Sequence, residues 1–164
     1  DPAGITFWPA YKGRDGCRTP HPWQADSRHA GFSRATPWLP VPEAHAALAV
    51  DQQEQNADSL LNAYRAFLAF RRTQPALVKG DVRYHPVRDE VLCFERTYQQ
   101  TRLLVALNFS DQTVTRTAPE RAEALDDAPK WLSGEWQAGT LTLPPFGVAI
   151  ARCPQTQEDA PWDV

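Results

Sequence analysis

The run Gly13-Arg-Asp-Gly-Cys-Arg-Thr-Pro-His-Pro-Trp23 decides how this chain is read. Pro20 and Pro22 each remove a backbone donor and fix φ, so the run cannot be the interior of a helix. It does not alternate as a strand would. What remains is a shaped loop with Arg14 and Arg18 flanking Asp15, and Trp23 at its end. Loops of this kind commonly grip polar ligands.

Working outward, residues 1–56 are rich in proline and show little periodicity. Phe7, Trp8, Tyr11, Trp23, Phe32 and Trp38 are interleaved with Lys12, Arg14, Arg18, Arg28 and Arg34. Against Asp1, Asp15 and Asp26, these five cations give residues 1–42 a local charge of +2. So long a loop is unusual inside a compact domain. It is better read as an active-site loop that packs on a body outside the chain.

Asn56-Ala57-Asp58-Ser59 supplies N-cap side chains and Pro75 supplies a stop, with Leu60, Leu61, Tyr64, Phe67, Leu68 and Arg71 at helical spacing between them. One helix over about 58–72 is expected, its apolar stripe in need of cover. From Gly80 the period becomes that of strands. Six short runs, at 81–84, 91–97, 103–109, 113–116, 140–143 and 148–152, are separated by polar or Pro/Gly turns and predict an antiparallel β-sandwich. Residues 117–130 read as a loop, and Trp131 and Trp136 fall between strands. Phe109 reads as the buried end of a core strand. Residues 154–164 read as a frayed tail.

Residues 13–23 resemble the Arg-Asp-x-x-Arg-Thr-Pro-x-x-Trp motif of the α-glucosidase branch of the α-amylase superfamily. The resemblance continues through His29-Ala30-Gly31-Phe32-Ser33, Pro37-Trp38-Leu39-Pro40-Val41, the helix, and Asn108-Phe109-Ser110. It implies that residues 1–78 are the last loop and helix of a (β/α)8 barrel. Residues 79–153 would then be the family's all-β C-terminal domain. The fold expected is mainly β with one long helix. Such barrels carry their chemistry on the βα loops, so the first segment would be the functional one.

The resemblance also assigns roles. Arg18 matches an arginine lining the pocket for the non-reducing glucose, and Arg14 and Trp23 are further candidates for substrate contact. The opposing reading ties Arg14 and Arg18 to Asp15 and nearby carbonyls, and buries Trp23 under the loop. Asp15, beside two guanidinium groups, suits an anchor and not a proton donor. The family usually has methionine where this chain has His21, a change in the pocket wall. Retaining glycoside hydrolysis needs two carboxylates about 5–5.5 Å apart. The family's nucleophile and acid/base lie on barrel strands upstream of Asp1, so no residue here is expected to be catalytic.

Composition narrows the classes. The chain has 164 residues, 42% hydrophobic and 23% charged, which is ordinary for a globular protein. A net charge of −3 gives no bulk attraction to nucleic acid or acidic membranes, and no run is long and apolar enough to span a bilayer. Cys17, Cys93 and Cys153 are too few for a disulfide framework, which points to a reducing, cytoplasmic setting. Cys17, His21 and His29 lack a second ligand pair, so no metal and no cofactor are expected. The absence of methionine reads as a piece of a longer protein.

The expected partners are therefore the missing barrel and, through it, an α-gluco-oligosaccharide or disaccharide. Two rival readings are a structural or homodimerising domain, and a stand-alone carbohydrate-binding sandwich.

Overall fold

The computed structural model describes residues 1–119, 121–137 and 139–154, so the expected tail lies outside the described residues apart from Pro154. Two compact units are present, Asp1–Tyr64 and a second from Arg65 onward.

The first unit is not the featureless loop that its prolines suggested. It holds the short helix α1 (Pro2–Thr6), capped by the Asp1 carboxylate with Pro2 in the first turn. Three 3-10 segments follow, Asp15–Cys17, Arg28–Gly31 and Glu43–Leu48, and then α2 (Val50–Gln55). Its buried apolar residues are small, Ala30 and Ala49 among them. Backbone polar groups do the tying that a larger core would otherwise do. Val50 N–H donates to the Pro22 carbonyl at 3.1 Å and Asp51 N–H to that of Trp23 at 3.1 Å. The Asp51 carboxylate in turn accepts from Ala25 N–H at 3.1 and 3.2 Å.

α3 (Leu60–Thr73) forms where the sequence placed a helix. Ser59 Oγ accepts from Asn62 N–H at 3.2 Å, the N-cap bond, and the Gln53 side chain accepts from Leu61 N–H at 3.2 Å. Pro75 pushes Gln74 out of the helical region, to φ −109° and ψ 92°, and opens α4 (Pro75–Lys79). The stripe is not buried as a whole. Phe70 is buried and Phe67 partly so, while Leu60 and Tyr64 are exposed.

The second unit is an antiparallel β-sandwich. β1 (Asp81–Tyr84), β2 (Val91–Tyr98), β3 (Thr101–Asn108), β8 (Val148–Cys153) and β5 (Glu123–Ala124) form a five-stranded sheet in the order β1-β2-β3-β8-β5. β4 (Val114–Thr117), β7 (Thr140–Leu143) and β6 (Glu135–Gln137) form the second sheet in the order β4-β7-β6. β5 forms within the loop expected at 117–130, and β6 contains Trp136, which the sequence pattern places between strands. Runs of two and three residues are too short for a period-2 signal to register.

Strand parity splits the larger sheet into two cores. Val91 and Cys93, Ala106, and Ala149 face the second sheet and meet Leu141 and Leu143. The alternate residues Leu103, Val105 and Ile150 face the other way, under Phe70, Leu77 and Leu125. The same alternation corrects one expectation. Phe109 is exposed, and its neighbours Asn108 and Ser110 are the buried pair. Asn108 Oδ1 accepts from the N–H of Ser110 at 2.9 Å and from its hydroxyl at 2.8 Å. A local turn therefore ends the strand one residue before the phenylalanine.

Candidate functional site

The arginines of the 13–23 motif separate into two states. Arg14 is engaged: its Nε donates to Asp1 Oδ2 at 2.8 Å, and its backbone N–H donates to the same oxygen at 3.1 Å. Arg18 closes the 3-10 turn Asp15–Cys17, its N–H donating to the Asp15 carbonyl at 3.0 Å. The Arg18 side chain is exposed and makes no hydrogen bond or ion pair among the described residues. Asp15 Oδ2 lies 2.7 Å from the Asp1 nitrogen, and neither flanking guanidinium bonds to it, so the pairing expected to anchor Asp15 is not formed.

Trp23 is 52% exposed, not buried under its loop. His21 meets its ring edge-on, centroids 4.8 Å apart and planes at 78°. The Trp23 N–H donates to the Ala30 carbonyl at 2.8 Å, so the tryptophan is fixed by the loop that follows it. Trp23 and Arg18 share no bond or ring contact among the described residues. Cys17 is exposed, with Sγ 3.0 Å from the Arg14 carbonyl oxygen.

Two open cavities in this unit were not legible in the sequence. One, of about 420 Å³, is lined by Asp1, Gly4, Ile5, Trp8, Lys12 and Asp15. The other, of about 560 Å³, is lined by Ser27, Arg28, Gly31, Phe32, Ser33 and Arg34. Around the second, His29, Ala30 and Gly31 adopt positive φ in succession, at 53°, 53° and 70°. Two of these are not glycine, so no sequence signal marked the turn.

Elsewhere the unit exposes aromatic surface, Trp38 most of all at 85%. The sandwich exposes aromatic rings as well, Tyr84 at 65%, Phe109 at 61% and Phe146 at 67%. Its tryptophans are less open, with Trp131 at 40% and Trp136 half-buried. Trp131 packs on Phe67, centroids 5.7 Å apart, and Trp136 leans on the sheet–sheet core. That arrangement counts against a stand-alone sugar module built on these tryptophans.

The sandwich does hold a buried ionic cluster. Arg102 grips Glu95 with two bonds, Nε to Oε2 at 2.9 Å and Nη2 to Oε1 at 2.6 Å, and His85 Nε2 lies 2.9 Å from Oε1. Burial alone would raise the pKa of Glu95. The hydrogen bonds and charge of Arg102, then those of His85, outweigh it and hold the carboxyl below its ordinary value. Burial likewise pushes the Cys93 thiol up to about 12 and that of Cys153 to about 11. These thiols are inert packing and not nucleophiles. Among the described residues no cluster of His, Cys, Asp or Glu is grouped to hold a metal ion.

Comparison with known proteins matches both units. Residues 1–80 match the family described as alpha amylase, catalytic domain, and residues 83–150 the maltogenic amylase C-terminal domain. A probable α-glucosidase of Rhizobium meliloti is 45% identical over 153 residues, 93% of this chain and 27% of the relative. An oligo-1,6-glucosidase of Heyndrickxia coagulans is 34% identical over 144 residues, 85% of this chain and 24% of the relative. Among solved structures, the α-glucosyl transfer enzyme XgtA superposes with a TM-score of 0.84 at 41% identity, covering 93% of this chain and 28% of that one. The chain thus spans about a quarter of the length of the relatives it matches. Two adjoining family matches, together with α-glucosidase relatives aligned across nearly all of its length, show that this chain belongs to the α-amylase family.

Proposed function

We propose that this chain is the part of an α-glucosidase-type retaining hydrolase or transglycosylase that roofs the sugar pocket. Short α-linked gluco-oligosaccharides or disaccharides are its substrates. The observation that carries the reading is the contrast between the two motif arginines: Arg14 spends its Nε on Asp1 within the chain, and Arg18 keeps all of its side-chain donors. An exposed guanidinium fixed at the end of a tight turn is placed to donate to hydroxyls or to a carboxylate from outside. Trp23, also exposed, offers a ring face nearby in sequence, and Arg14 acts by shaping the turn.

The reacting carboxylates belong to the barrel, which the chain needs as its partner. The 3-10 turns of the first unit hold the loop in shape, and the sandwich buttresses the last helix through Phe67 and Phe70. Three unpaired cysteines support a reducing, cytoplasmic setting. The test is to assay the isolated chain on nitrophenyl α-glucoside. No turnover above buffer is expected, and turnover that survives repurification would refute the reading.

A further inference from the structure

The recess at residues 27–34 has a chemistry of its own. Its volume, about 560 Å³, lies in the range of small-ligand sites. Two guanidinium groups (Arg28, Arg34), two hydroxyls (Ser27, Ser33) and the exposed ring of Phe32 line it, and no carboxylate does. Arg34 has no hydrogen bond or ion pair among the described residues. Arg28 spends only Nε, on His29 Nε2 at 3.1 Å, which leaves its two terminal nitrogens. Ser33 Oγ accepts from Ala35 N–H at 3.1 Å and keeps its own proton to donate. Ser27 donates to Gln24 Oε1 at 2.8 Å and keeps lone pairs to accept.

The frame beneath is fixed at a cost. The buried Ala30 carbonyl takes both the Trp23 N–H at 2.8 Å and the Gln24 N–H at 3.1 Å, and Ala30 N–H donates to Ser27 at 2.8 Å. This holds His29 and Ala30 in the left-handed region, which residues other than glycine rarely adopt. A strained, hydrogen-bonded loop that turns two arginines and a ring into one concavity is a preformed site, not a floppy surface.

We propose that this recess binds a sugar carrying one anionic group, phosphate or carboxylate. The guanidinium forks match either anion, Ser33 donates to it or to a neighbouring hydroxyl, and Phe32 stacks on the apolar face of the ring. The proposal rests on the reading of this loop as sugar-facing, and adds an anionic substrate or effector to it. The two are separable. The recess is read by binding to this chain, and the pocket by α-glucoside turnover in a longer polypeptide.

The experiment is calorimetric titration of the full chain at low salt with glucose 6-phosphate, glucuronate, glucose and inorganic phosphate. At least one of the two anionic sugars should bind saturably, roughly tenfold more tightly than either glucose or phosphate. Whichever of the two binds better identifies the anion. Arg34→Ala and Arg28→Ala should each weaken that binding roughly tenfold, while Arg71→Ala, in the other unit, leaves it unchanged. Phe32→Ala should weaken the anionic sugar that binds but not inorganic phosphate. Both arginines are exposed, so these variants should fold, which circular dichroism checks. Binding of glucose equal to that of the better anionic sugar, no binding by any of the four, or binding untouched by Arg34→Ala would overturn the proposal.

Discussion

Arg14 Nε sits 2.8 Å from Asp1 Oδ2, and this pair engages the motif arginine that the resemblance made the weaker candidate for substrate contact. Arg18, one turn later, keeps its donors. The Arg14 side chain is 59% exposed while that of Asp1 is 2% exposed. The Asp1 carboxylate keeps the Ala3 and Arg14 N–H groups as donors when the guanidinium is lost, so the contribution of the exposed partner is small. Arg14→Ala should shift the urea midpoint by an amount equivalent to no more than about 1 kcal/mol. A larger loss would mean that the first unit depends on this pair.

Glu95 is the opposite case, a buried carboxylate held by Arg102 and His85. Glu95→Ala removes the buried carboxylate that Arg102 and His85 both bond and should cost about 3–5 kcal/mol in urea unfolding. The folded pKa is depressed, so the contribution is present above the unfolded carboxylate value near 4.3 and is lost as pH falls through the folded pKa. The wild-type chain should therefore lose stability on acidification below about pH 4.3, more steeply than Glu95→Gln. Identical acid limbs in the two proteins would remove Glu95 from this role.

The two cores differ from the open stripe of α3. Leu143 is fully buried between the sheets, and Leu143→Ala should cost about 2–5 kcal/mol. Leu60, exposed at 79%, should tolerate alanine within about 0.5 kcal/mol in this chain. A large loss at Leu60 would show that the helix start is covered in solution.

Thiol reactivity separates the cysteines. Cys17 is exposed and should react promptly with a disulfide reagent at about pH 8, whereas Cys93 and Cys153, raised by burial, should wait for unfolding. One fast thiol per native chain and three in urea is the expected count. Two or more fast thiols would contradict the buried placement.

Much of this was readable in advance, for reasons that can be named. β1, β2, β3, β4, β7 and β8 fall within about two residues of their expected runs. β2, β4 and β7 alternate in burial because one face of each is the more deeply committed to a core. β3 is buried on both faces, and β1 is exposed along its length. Phe109 was misread because the turn made by Asn108 and Ser110 ends that alternation early. Phe70 was passed over for Tyr64, since the stripe is wide and only packing chooses which side of it is buried. Arg14, Arg18 and Trp23 were found through a motif, but their unequal engagement depends on Asp1, thirteen residues before Arg14. The recess at 27–34 was invisible because non-glycine residues take the left-handed turn.

The central claim is that Arg18 serves a sugar pocket completed by a barrel. It is tested most directly in a hybrid where residues 1–153 replace the matching segment of the Rhizobium meliloti probable α-glucosidase. The hybrid should hydrolyse nitrophenyl α-glucoside. Arg18→Ala should lower its kcat/KM by about 100-fold, through lost positioning of the sugar, while Arg14→Ala stays within about threefold. An Arg18→Ala hybrid that works as well as its parent would contradict the account.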